Sequence, residues 1–162
     1  MYTGITLVRK GGFTVSRINT NTLLKRLFKA EDLDSYLESN ALCLGMPDFC
    51  ALLKSHCETK GLLPAHVIER SQIERTYGHQ LFNGTRRPSR DKVLQLALGL
   101  GLSVNEAQQL LRAAGKSPLY PRLRRDAVIL YGLGRGQPLL TVQENLSKYG
   151  LTELGGVGNG ND

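Results

Sequence analysis

Between Glu74 and Arg90 the chain reads ERTYGHQLFNGTRRPSR, and the chemistry this stretch offers is the binding of anions. Arg86, Arg87 and Arg90 surround Pro88 and Ser89, directly after an Asn83-Gly84 break that ends a helical pattern. In that pattern Ile73, Tyr77 and Leu81 recur at four-residue steps and turn to one side. Arg75 and His79 therefore point roughly the opposite way. An arginine fork donates two parallel hydrogen bonds, which suits it to guanine O6 and N7 as well as to phosphate.

Other chemistries find little support. No Ser, Cys or Asp stands in a nucleophile-elbow or metal-binding context, so no catalytic residue and no metal ligand is expected. GLGRG at 132 to 136 follows a helical pattern rather than a strand, which excludes a dinucleotide loop, and no cofactor is expected. Cys43, Cys50 and Cys57 are spaced by seven, without a C-x-x-C knuckle, and read as reduced thiols with Cys50 and Cys57 on an apolar face.

The 162 residues carry a formal net charge of +7 and an apolar fraction of 41%, the profile of a basic globular protein to which polyanions are attracted. No apolar run reaches the length of a membrane span, and the first residues lack a signal-peptide pattern. The expectation is a cytoplasmic protein with no membrane partner.

The elements that must position the basic stretch are helical. Residues 1 to 19 alternate weakly around Lys10-Gly11-Gly12 and read as an extension, a hairpin at most or disordered. Residues 20 to 45 hold two short helices, with Leu23, Leu24, Leu27 and Phe28 on one and Leu33, Tyr36 and Leu37 on the next. From 46 to 116 five helices follow. Asp48, Ser89 and Ser103 open three of them, Pro64 another, and Gly61 and Gly84 close two.

Gly99, Gly101, Gln108, Leu111 and Gly115 recur as Gly134, Gly136, Gln143, Leu146 and Gly150, each 35 residues on (150 − 115 = 35). A second helix pair is therefore expected within 117 to 151, packed on the first five helices or on another subunit. Residues 152 to 162, ending in GGVGNGND, are expected to be a disordered tail. Arg122, Arg124 and Arg125 open a helix where positive charge opposes the macrodipole, so acidic side chains of the same chain are expected to pair with them.

Two short helices, a tight turn and a basic loop are the geometry that brings a helix into the major groove. Here the chain resembles the Cro/C1-type (XRE) helix-turn-helix regulators, over roughly Phe49 to Leu111. LFNGTRRPS at 81 to 89 is similar to the family's hydrophobic-x-Asn-Gly-basic-Pro-Ser loop, and TYGHQLFNGTRRPSRDKVLQLA and LYPRLRRDA look like a bacterial subgroup. The resemblance implies an all-α, five-helix bundle and a recognition helix over about 74 to 82. It also implies base reading by Arg75, Thr76 and His79, and phosphate contact by Asn83, Thr85, Arg86, Arg87 and Arg90. Gly78 stands in place of the family's branched residue inside that helix, Ile68 in place of its small alanine, and Gln72 in place of the turn glycine. Tyr77 is expected to fill the space that Gly78 leaves.

The function this implies is sequence-specific regulation of transcription by a homodimer on double-stranded DNA, because one such helix reads few base pairs. The alternative is a non-catalytic adaptor that reuses the bundle to dock an acidic protein partner.

Overall fold

Nine α-helices and one 3-10 turn carry the described residues, 18, 20 to 45 and 48 to 156 of this computed structural model, and no strand occurs among them. The all-α expectation holds at that level. The hairpin considered near residues 10 to 12 lies outside the described residues. The chain divides into two compact units, Met1–Met46 and Pro47–Asp162.

The first unit holds α1 (Thr20–Lys29), α2 (Leu33–Ser39) and the 3-10 turn Ala41–Cys43. Asp32 caps α2 by accepting the Ser35 N–H at 2.8 Å, and the hydroxyl of buried Tyr36 donates to the Leu23 carbonyl. Arg26 donates to the side-chain oxygen of buried Asn40, which in turn donates to the Tyr36 carbonyl. Two short helices are thus joined by polar pins where apolar burial is scarce.

The second unit runs through α3 (Phe49–Lys60), α4 (Pro64–Arg70), α5 (Arg75–Asn83), α6 (Arg90–Leu100), α7 (Val104–Ala113), α8 (Arg124–Gly134) and α9 (Leu139–Lys148). Side chains of Asp48, Ser89 and Ser103 accept the N–H of Ala51, Lys92 and Glu106, satisfying first-turn donors as their sequence positions required. Gly61 and Gly101 close α3 and α6 in the left-handed region. The central element is α6, buried from Val93 through Leu100.

One core serves all seven helices. Leu119, Ile129, Leu133, Leu139, Val142, Leu146 and Leu154 belong to the same buried cluster as Leu53, Leu81, Leu94 and Leu110. Of the two placements expected for the last helix pair, packing on the helices of 46 to 116 is the one observed, and the pair shares their core rather than forming a domain of its own. Likewise Thr152 to Gly156 are not a loose tail. Leu154 is buried, and its backbone N–H and carbonyl are both held by the Gln143 side chain, at 2.7 and 2.8 Å.

The repeat of 35 explains this packing. Gln108 clamps the backbone of Leu119 as Gln143 clamps Leu154, at 2.7 and 2.9 Å, and both steps are 35 (143 − 108 and 154 − 119). The echo extends to Arg90-Asp91 and Arg125-Asp126, which pair crosswise. Arg90 binds both oxygens of Asp126 at 3.1 and 2.9 Å, and Arg125 binds both oxygens of Asp91 at 3.0 and 2.8 Å. Their remaining bonds are equivalent too. Arg90 donates to the carbonyls of Ser117 and Pro118, and Arg125 to those of Thr152 and Glu153. Asp126 accepts the Tyr120 N–H, and Asp91 the Gly155 N–H. The hairpins α6–α7 and α8–α9 thus exchange equivalent contacts, as two subunits do across an isologous interface, with the first turns of α6 and α8 side by side.

Candidate nucleic-acid interface

Pro64 occupies the first turn of α4, where its missing N–H costs nothing. Ser71 ends that helix, fully buried, its hydroxyl donating to the Val67 carbonyl at 2.6 Å. A Cβ on Gly99 would lie 3.1 Å from the Ser71 backbone nitrogen, and Gln95 Nε2 donates to the Ser71 carbonyl at 3.1 Å. The turn is thereby seated on α6.

Gln72 completes the reversal with φ of +53°, the only positive φ at a non-glycine among the described residues. The left-handed conformation costs an L-residue roughly 1 to 2 kcal/mol. Here the short polar turn imposes it because Ile73 must drop back into the core, its N–H meeting the Ile68 carbonyl at 3.3 Å.

Glu74 then caps α5, its two carboxylate oxygens accepting the N–H groups of Thr76 and Tyr77 at 2.8 Å each. Those hydrogen bonds hold its pKa below the usual carboxylate value. The negative cap also favours the positive end of the helix.

The helix itself sorts its residues by face. Ile73, Gly78, Leu81 and Phe82 are buried, Tyr77 and Gln80 half-buried, and Arg75, Thr76, His79 and Asn83 exposed. Arg75, His79 and Asn83 fall at four-residue steps, so they form one ridge on the outer surface.

What lets α5 lie so close to α4 is the exchange of sizes at their crossing. A Cβ on Gly78 would meet the side chain of Ile68 at 2.5, 2.7 and 2.9 Å. Ile68, 2% exposed, therefore fills the space that was assigned to Tyr77. Tyr77 lies at the rim instead, with the Arg86 guanidinium over its ring at 5.2 Å from the centroid.

The loop after α5 reverses at Gly84, φ +82°. Asn83 steadies it: its side-chain oxygen accepts the Thr85 N–H at 3.0 Å and the Thr85 hydroxyl as well. The Thr85 hydroxyl proton is therefore engaged by the Asn83 oxygen. Among the side chains of this loop, the Asn83 amide, Arg86 and Arg87 are exposed with protons left to donate.

Arg90 departs from the expected role. Four of its five N–H bonds are taken by Ser117, Pro118 and Asp126, and its side chain is only 15% exposed, so it braces α6 against α8 and is not free for phosphate. Of the three arginines near the start of α8, Arg125 has the acidic partner expected of it. Arg122 and Arg124 are exposed and form no ion pair among the described residues.

No group of three metal-binding side chains occurs among the described residues. Burial pushes the Cys50 and Cys57 thiols above their usual pKa, and Cys50 Sγ donates to the Leu81 carbonyl, so both act as packing. No described helix is long and apolar enough to cross a membrane. No family model, curated protein or solved structure matches the chain.

Proposed function

We propose that the protein is a sequence-specific DNA-binding regulator of the Cro/C1 type, acting inside the cell as a homodimer on a two-fold site. In this reading α5 enters the major groove, with Arg75, Thr76 and His79 reaching base edges and Asn83, Arg86 and Arg87 on phosphates. The observation that carries it is the sorting of α5, whose outward ridge holds Arg75, Thr76, His79 and Asn83 while Ile73, Gly78, Leu81 and Phe82 face the core. A helix held at both ends, by Glu74 and by the Asn83–Thr85 turn, also supplies the preorganisation that base reading needs.

Selection of bound sequences from a random duplex pool tests this reading. One enriched palindrome is expected. On that operator Arg75→Ala should relax preference at one symmetric pair of positions by roughly 1 to 3 kcal/mol. Arg86→Ala should weaken operator and random duplex alike and reduce the magnitude of the log-log salt slope by roughly 1. A pool without enrichment favours the adaptor that docks an acidic protein.

A further inference from the structure

The reciprocal pairs bring the first turns of α6 and α8 together, and a basic segment precedes each of them. Arg87 and Arg122 are 35 residues apart and equivalent in the repeat, as are Ser89 and Arg124. Because Arg90 grips Asp126 and Arg125 grips Asp91, the chain entering α6 and the chain entering α8 leave one edge of the core together. Arg86 and Arg87 lie within four residues of Arg90. Arg122 and Arg124 lie within four of Asp126.

The charge at this edge is uncompensated. Arg122 and Arg124 are exposed, and neither has a salt bridge or side-chain hydrogen bond among the described residues, whereas Arg125 between them and Asp126 is fully engaged. They flank the start of α8, where the helix dipole repels cations, and no side chain caps that helix. Positive charge held there without an internal partner favours an external anion, and the neighbouring loop names which one. Resting on the proposed function, we infer that Arg122 and Arg124 extend the DNA interface by contacting duplex phosphates adjacent to those held by Arg86 and Arg87.

Phosphates of a duplex recur every few ångströms along each strand, so a contact surface two loops wide spans several of them. The second loop carries no ridge of base-reading side chains. It therefore adds affinity and footprint without changing sequence preference.

The test uses the full chain, the duplex selected from the random pool, and a random duplex of equal length. Arg122→Ala and Arg124→Ala together should lower the magnitude of the log-log salt slope by roughly 1.8, about 0.9 per lost contact. Both duplexes should be affected alike, with base preference unchanged. Phosphate ethylation interference should disappear at positions flanking those that depend on Arg86 and Arg87. Arg135→Ala, which removes half that charge, from the far end of α8 where Arg135 lies over Tyr131, is the control and should leave the slope unchanged.

An unchanged slope and interference pattern in the double variant, with Arg86→Ala still effective, would overturn this inference alone and turn the two arginines toward an acidic protein. An equal effect per charge removed from Arg135→Ala would overturn it as a mere consequence of net charge. A protein that binds no duplex overturns the proposed function and this inference together. Both altered side chains are solvent-exposed, so circular dichroism should show unchanged melting.

Discussion

Arg90 and Asp126 form a two-pronged ion pair at 2.9 and 3.1 Å, with the Asp126 side chain 3% exposed. The pair joins the first turn of α6 to that of α8, and Asp126 also accepts the Tyr120 N–H. Replacing one partner leaves the other charge in a poorly solvated position, a loss of roughly 3 to 5 kcal/mol for buried pairs. Asp126→Ala is expected to approach that range in urea denaturation. Asp91→Ala should cost less, because the Arg125–Asp91 pair is more exposed, at 26% and 20%. Equal losses would contradict the ranking. Arg90→Ala should likewise destabilise the fold while leaving the salt dependence of the proposed DNA binding unchanged.

Removal of everything after Leu119 is expected to abolish cooperative folding. The deletion takes Ile129, Leu133, Leu139, Val142, Leu146 and Leu154 out of the shared core and strips Arg90 of its partner. At roughly 1.5 to 3 kcal/mol per buried aliphatic side chain, that loss rivals the 5 to 15 kcal/mol by which domains are ordinarily stable. A truncated chain that still melts sharply by circular dichroism would show that α3 to α7 suffice for that core.

Ile68 and Gly78 should behave as one unit. On helix propensity alone Gly78→Ala would stabilise α5 by about 1 kcal/mol. The new Cβ would instead strike three carbons of Ile68, and overpacking of this kind costs roughly 1 to 3 kcal/mol. Ile68→Ala should cost about 2 to 5 kcal/mol through the cavity it leaves. The double variant Ile68→Ala, Gly78→Ala vacates the space the new Cβ needs and should recover part of both losses. Additive losses in a double-mutant cycle would mean that the two positions do not share this space.

Acid should loosen the joint between the two hairpins. Burial alone would raise the Asp91 pKa, but hydrogen bonds from Arg125 and the Gly155 N–H, with the charges of Arg125 and Arg90, outweigh it and hold the value below normal. A depressed folded-state pKa contributes stability that is fully present above the unfolded value, about 3.9 for Asp, and is lost as pH falls through the folded value. Asp91→Asn is therefore expected to be less stable than the parent at pH 7, with the gap narrowing below pH about 4. A gap independent of pH in chemical denaturation would remove Asp91 from the acid limb.

Much of the local structure follows from neighbours in sequence. Asp48, Ser89 and Ser103 cap their helices, Gly61 closes α3, and the four-residue steps of Ile73, Tyr77 and Leu81 orient α5, because each depends on contacts within a turn or two. The exposure of Arg75, Thr76, His79 and Asn83 follows from the same periodicity. The repeat of 35 also announces a second hairpin. Where that hairpin sits, and whether a given arginine is free, is set by residues distant in sequence. Arg86 and Arg90 look alike in TRRPSR. Only the fold brings Asp126, 36 residues on, to Arg90 and leaves Arg86 over Tyr77. The same distance dependence decides Gly78, whose small size makes sense only against Ile68 on another helix, and Leu154, buried near a glycine-rich end because Gln143 holds its backbone. Periodicity fixes which way a side chain points; what it meets there depends on chain segments that no local pattern encodes.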